Sequence, residues 1–174
     1  MLCMIAKLDE TAVRRLRELQ AAIPGAADRR PLYGHITLAA YTGEDEASFL
    51  RFGRELAAAF PAFSVPYEKL EVLAETSILV ASPGRCPPLE ELHRRAAERF
   101  GGELDKWTRA EAWRPHTTLY HGPGEDLQAL CRRLSACFSP FPARVCSLAF
   151  SRVLDVGYEI VCSVALLPEP SGRI

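Results

Sequence analysis

Apolar positions along the chain switch repeatedly between the strand period and the helix period. Residues 2–8 form a short apolar run broken only by Lys7, and they predict a strand. Asp9 is placed to cap a helix. Val13, Leu16, Leu19 and Ile23 then recur at helical spacing until Pro24 and Gly25 end the run. A loop over residues 26–33 carries Arg29 and Arg30 and ends at Tyr33, and residues 35–41 read as a second strand. Beyond a polar turn, Phe49, Gly53, Leu56 and Phe60 mark one face of a second helix, which Pro61 stops. Residues 63–73 are mostly extended, although Pro66 argues against a central place in a sheet.

The order then begins again. Residues 76–81 predict a strand. Pro87 and Pro88 open a helix whose Leu89, Leu92, Ala96 and Phe100 share a face, and Gly101-Gly102 closes it. His93 lies beside Leu92 on that helix and carries no functional signal. Residues 116–120 read as a strand, and Leu127, Leu130, Leu134 and Phe138 line a fourth helix ended by Pro140. Residues 144–154 and 158–167 form a hairpin about Asp155-Val156-Gly157, and residues 168–174 read as a loose tail. Each half therefore runs strand, helix, strand, helix, strand. This predicts an approximate duplication with lobes at about 1–74 and 75–167, inside one domain spanning 1–174. Element order carries the inference, because the halves share little identity. The predicted class is α+β, with antiparallel sheets and helices packed outside them.

Composition narrows the function classes. At 174 residues, 48% hydrophobic and 25% charged, the chain suits one globular domain that buries a core without cross-links. A net charge of −1 gives no global basic field of the kind that coats long nucleic acid. It is compatible with a site gripping one phosphate or a short RNA end. The first residues are too short and too interrupted for a signal peptide or a membrane span, so a cytoplasmic location without a membrane partner is expected. A monomer is expected as well. The six cysteines (Cys3, Cys86, Cys131, Cys137, Cys146 and Cys162) include no C-x-x-C pair. A zinc site of ordinary spacing is therefore not expected, and reduced, mostly buried thiols are.

The chemical signal is a pair of stretches that read alike, Gly34-His35-Ile36-Thr37-Leu38 and Pro115-His116-Thr117-Thr118-Leu119. Side chains alternate along a strand, so His35 and Thr37 share a face, as do His116 and Thr118. Tyr41 and Tyr120 have the parity of the histidines. They are candidates to line a cleft and stack on a base, with core packing as the alternative. Arg114, before the second motif, is a candidate phosphate contact or an ordinary solvated arginine, and Arg29 and Arg30 are in the same position. His121 has the opposite parity to His116. There is no His-x-His, no H-E-x-x-H and no carboxylate at a telling offset, which makes a metal site the weaker alternative for these histidines.

With both motifs in view, the sequence resembles the 2H phosphoesterase superfamily, which includes 2'-5' RNA ligases and cyclic nucleotide phosphodiesterases. The resemblance is sharp at the two motifs and extends along the chain through the element order. It implies two lobes related by a pseudo-two-fold, with the motif histidines facing across a central cleft. It implies His35 and His116 as the catalytic acid and base, and Thr37 and Thr118 as hydroxyl donors to the non-bridging phosphate oxygens. No metal or other cofactor is required. The implied activity is hydrolysis of a 2',3'-cyclic phosphate, or a related cyclic phosphodiester, on an RNA end or small nucleotide. Ligation in the manner of a 2'-5' RNA ligase uses the same groups. A non-catalytic phosphate- or nucleotide-binding module is the alternative from another class, but binding alone does not need two titrating groups. Many relatives carry an arginine near the position of His121, so the histidine there leaves that phosphate contact open.

Overall fold

The computed structural model describes residues 1–24, 34–122, 126–155 and 157–169. Arg29, Arg30, Tyr33, Val156 and the end of the tail lie outside the described residues. The elements are β1 (Leu2–Leu8), α1 (Glu10–Ala21), β2 (His35–Tyr41), α2 (Glu46–Ala59), β3 (Phe63–Val72), β4 (Ile78–Pro83), α3 (Pro87–Phe100), β5 (Thr117–His121), α4 (Leu127–Ser135), β6 (Phe141–Val153) and β7 (Tyr158–Ala165). Strand–helix–strand–helix–strand thus occurs twice, and β7 follows.

The strands join in one antiparallel sheet of order β2-β1-β6-β3-β4-β5, with β7 also beside β6. The long strand β6 holds it together. Its residues 145–152 pair with β1, residues 141–145 with β3 and residues 147–153 with β7. The last strand of each repeat therefore pairs into the other repeat: β3 lies between β6 and β4, and β6 lies between β1 and β3. Pro66 occupies this interior strand after all. It sits directly opposite Pro142, at a rung where neither residue has an N–H to offer the other.

The four α-helices among the described residues bury apolar residues in one core. Leu16 of α1, Phe49 of α2, Leu89 of α3 and Leu130 of α4 meet Leu2, Met4 and Ala6 of β1 and Phe150 of β6 there. Each such large side chain contributes about 1.5–3 kcal/mol on burial. The alternate residues Cys3 and Ile5 point to the other face of the sheet and join Ala40 and Ala149 in a separate small cluster. Helix α2 lies so close to β6 that a Cβ on Gly53 would stand 2.0 Å from Cζ of Phe150, which is why glycine occupies that helical face. Asp9 caps α1 by accepting from the Ala12 amide at 3.4 Å and also takes the Arg144 amide at 2.6 Å, so the cap ties α1 to β6. The six thiols are free, but only Cys3 and Cys86 are buried, because Cys137 and Cys146 fall on outward positions of a turn and a strand. No helix of the described residues is long and apolar enough to cross a membrane.

Candidate active site

The two motif strands, β2 and β5, stand at opposite ends of the strand order. The sheet curls until those ends meet, and side chains rather than a ladder join them. The Thr117 hydroxyl donates to the carbonyl of His35 at 2.8 Å, and the Trp113 indole N–H donates to the carbonyl of Thr37 at 2.9 Å.

Register sets which side chains share the face opposite the helices. In the β1–β2 ladder Lys7 lies across from His35 and Ile5 across from Thr37, and directly opposed residues project to the same side. Leu38 then has no partner, since Ile5 pairs with Thr37 and Met4 with Ala39. One unpaired residue is a bulge, and it reverses the parity of everything after it. Tyr41 therefore joins Ile36 and Leu38 in the core instead of following His35. It is 2% exposed, stacks on Phe49 at 4.7 Å and donates its hydroxyl to Glu103 at 2.7 Å. That bond to a carboxylate, with burial, raises its pKa.

The second motif repeats the device. Val80 pairs with Thr118 and Leu79 with Tyr120, which leaves Leu119 unpaired. Tyr120, 2% exposed, accordingly turns into the core. The expectation that Tyr41 and Tyr120 line a cleft thus fails at both positions for one reason. The same bulge corrects the reading of His121. It pairs with Ile78, two residues from Val80 on β4, and so returns to the face of Thr118, where it is exposed.

His116 precedes β5 by one residue and is partly buried. Its Nδ1 donates to the carbonyl of Arg114 at 2.7 Å, because a carbonyl can only accept. The neutral ring therefore keeps its lone pair on Nε2. Burial lowers the His116 pKa, against opposing contributions from the Arg114 carbonyl and the Glu71 carboxylate. Glu71 belongs to a row of opposed residues, Glu71, Val80 and Thr118, across β3, β4 and β5. Burial pushes its carboxyl up, but hydrogen bonds from Ser82 and Lys69, and the charges of Lys69 and His116, outweigh this and hold it below the ordinary value. Lys69 Nζ lies 2.9 Å from Glu71. Because Glu71 favours the imidazolium, Glu71→Gln should lower the His116 pKa further. An NMR titration of the ring would then show its midpoint moving to lower pH, and an upward or absent shift would disprove the coupling. Arg114 is exposed, and its guanidinium donates to the Trp113 carbonyl at 2.9 Å.

Behind the first motif lies a residue to which the sequence assigned nothing. His93 is 5% exposed, donates Nδ1 to the carbonyl of Leu38 at 2.9 Å and stacks on Trp113 with centroids 4.0 Å apart. Burial lowers its pKa, despite that carbonyl, and its buried Nε2 has no hydrogen-bond partner among the described residues. On the other side, Gln20 of α1 reaches the carbonyl of Thr118 at 3.4 Å. Each repeat's first helix thus touches the motif strand of the other repeat. Lys7, Glu71 and His93 give no local signal, since register and packing alone bring them to the motifs. Among the described residues no three His, Cys, Asp or Glu side chains gather into a group that could hold a metal ion.

A curled antiparallel sheet with a His-x-Thr strand at each end and helices on its far face has the form of a 2H phosphoesterase. Residues 7–156 match the family model of the 2'-5' RNA ligase superfamily, and the chain belongs to that family. Membership supports a phosphoesterase or ligase-type activity on phosphodiester bonds. The same fold occurs in TT0787 of Thermus thermophilus, with a TM-score of 0.68 and 20% identity over 97% of this chain and 98% of that one. It also occurs in E. coli LigT complexed with 3'-AMP, with a TM-score of 0.66 and 18% identity over 95% and 97% of the two chains. For E. coli LigT complexed with phosphate the TM-score is 0.61, at 18% identity over 95% and 96%. At these identities the likeness is one of fold. A search of curated protein sequences returns no match.

Proposed function

We propose that this protein is a metal-independent phosphoesterase that hydrolyses a 2',3'-cyclic phosphate on an RNA end or small nucleotide. His35 and His116 act as the acid–base pair, and Thr37 and Thr118 donate to the non-bridging oxygens. The observation that carries this reading is the Thr117–His35 bond, which draws the two His-x-Thr strands together from opposite ends of the sheet. The Arg114 carbonyl and the lowered pKa of His116 favour it as the base, with its lone pair on Nε2. His116 takes a proton from water, the water oxygen attacks phosphorus, and protonated His35 gives its proton to the departing ribose oxygen. The product is a ribose monophosphate ester. Lys7, opposite His35, adds a cation on the same face. That E. coli LigT has been solved with 3'-AMP supports a ligand of nucleotide size. In the second reading, 2'-5' ligation, a ribose hydroxyl replaces water as the attacking group; the family match favours it.

The test is turnover of 2',3'-cyclic nucleotides and cyclic-phosphate RNA ends in the presence of a chelator. Opening to a monophosphate is expected to proceed undiminished. Activity lost in chelator and restored by one added metal would refute the metal-independent route. Phosphate binding without turnover of any cyclic phosphate would favour the non-catalytic module.

A further inference from the structure

The sheet's own hydrogen bonds do not set the separation of the two motif strands, because β2 and β5 share no ladder. Three side chains of the second repeat span the gap instead. Thr117 Oγ1 donates to the carbonyl of His35 at 2.8 Å, Trp113 Nε1 to that of Thr37 at 2.9 Å, and His93 Nδ1 to that of Leu38 at 2.9 Å. The Thr117 hydroxyl has a single proton, already given to His35, so the buried Tyr67 hydroxyl 2.5 Å away must donate to Thr117. A chain of donors therefore runs from β3 through β5 to the backbone of the first histidine. The segment beginning at Trp113 also holds the second histidine, since the next carbonyl, that of Arg114, accepts from His116 Nδ1 at 2.7 Å.

We propose that Trp113 and Thr117 are positioning residues that fix the spacing of His35 and His116 across one phosphate. The proposal rests on the reading that both histidines serve the same phosphate. Their roles are to donate hydrogen bonds, which volume alone cannot replace. A displacement of about 1 Å between catalytic groups can cost about 100-fold in rate, so loss of one tether should register in turnover before it registers in the fold.

The test uses Thr117→Val, which keeps shape, Thr117→Ser, which keeps the hydroxyl, and Trp113→Phe, which keeps a ring to stack on His93. The double variant Tyr67→Phe/Thr117→Val removes both hydroxyls and so leaves no donor of that chain buried and unpaired. Each is measured for melting temperature, for kcat and KM with a 2',3'-cyclic nucleotide, and by NMR titration of the His35 and His116 rings with inorganic phosphate. In the wild type, phosphate should perturb both rings with one affinity. The Val and Phe variants, folded, should lose about ten-fold or more in kcat with less change in KM. Their two rings should no longer share one affinity, and Thr117→Ser should recover both properties. Wild-type kcat and a shared phosphate affinity in folded Thr117→Val, or in the folded double variant, would overturn the proposal. If the wild type binds phosphate at both rings yet opens no cyclic phosphate, the hydrolytic reading falls by itself. The tether is then judged by the phosphate titration: splitting in Val with recovery in Ser sustains it, and no difference overturns it.

Discussion

Replacing either His35 or His116 with alanine is expected to remove most of the turnover while leaving a folded protein. A positioned general acid or base contributes about 10²–10⁴-fold, and losses in that range are expected at each position. Both imidazoles are only partly buried, so the change in melting temperature should be small. The double variant should lose far less than the product of the two single losses, because groups that act as one unit are not additive. His116→Asn adds a control. Its amide can still donate to the Arg114 carbonyl but cannot accept a proton from water, so it should be as inactive as alanine. Turnover and melting curves measured together decide the matter, and wild-type turnover from either alanine variant would remove that residue from the mechanism.

The threonines of the motifs separate chemistry from packing. Thr and Val have nearly the same shape, and both favour strands, so Thr37→Val and Thr118→Val should keep the fold while deleting the hydroxyl. Thr→Ser keeps the hydroxyl and loses a methyl group. If the hydroxyls stabilise charge on the phosphate, Val should slow turnover well beyond Ser at each position, by up to about 2.7–4 kcal/mol for a lost catalytic donor. Both threonines are only partly buried and sit on the face away from the helices, so little packing depends on them. Active Val variants beside impaired Ser variants would mean that these residues are architecture and would leave the histidines without partners. Thr117 is the internal contrast. It faces the core, and its substitution acts on the spacing of the strands instead of on phosphate oxygens.

The sequence by itself determined the order of the elements, the caps and the shared face of each His-Thr pair. Those features depend on neighbours within a few positions: Asp9 bonds an amide three residues on, and His35 and Thr37 share a face because every strand alternates. Tertiary structure alone decided what lies beyond the motifs. A bulge exists only relative to the strand alongside, so nothing in residues 35–41 announces that Leu38 loses its partner. The parity of Tyr41, Tyr120 and His121 was therefore unreadable beyond Leu38 and Leu119. The exchange of β3 and β6 between the repeats is likewise a choice among pairings of similar strands, made by the summed burial of one core. That exchange carries Glu71 toward His116. The packing of α3 on β2, set by the same core, puts His93 behind the first motif, 55 positions from the carbonyl it holds. A contact over that separation is fixed by the folded sheet and leaves no trace in local periodicity.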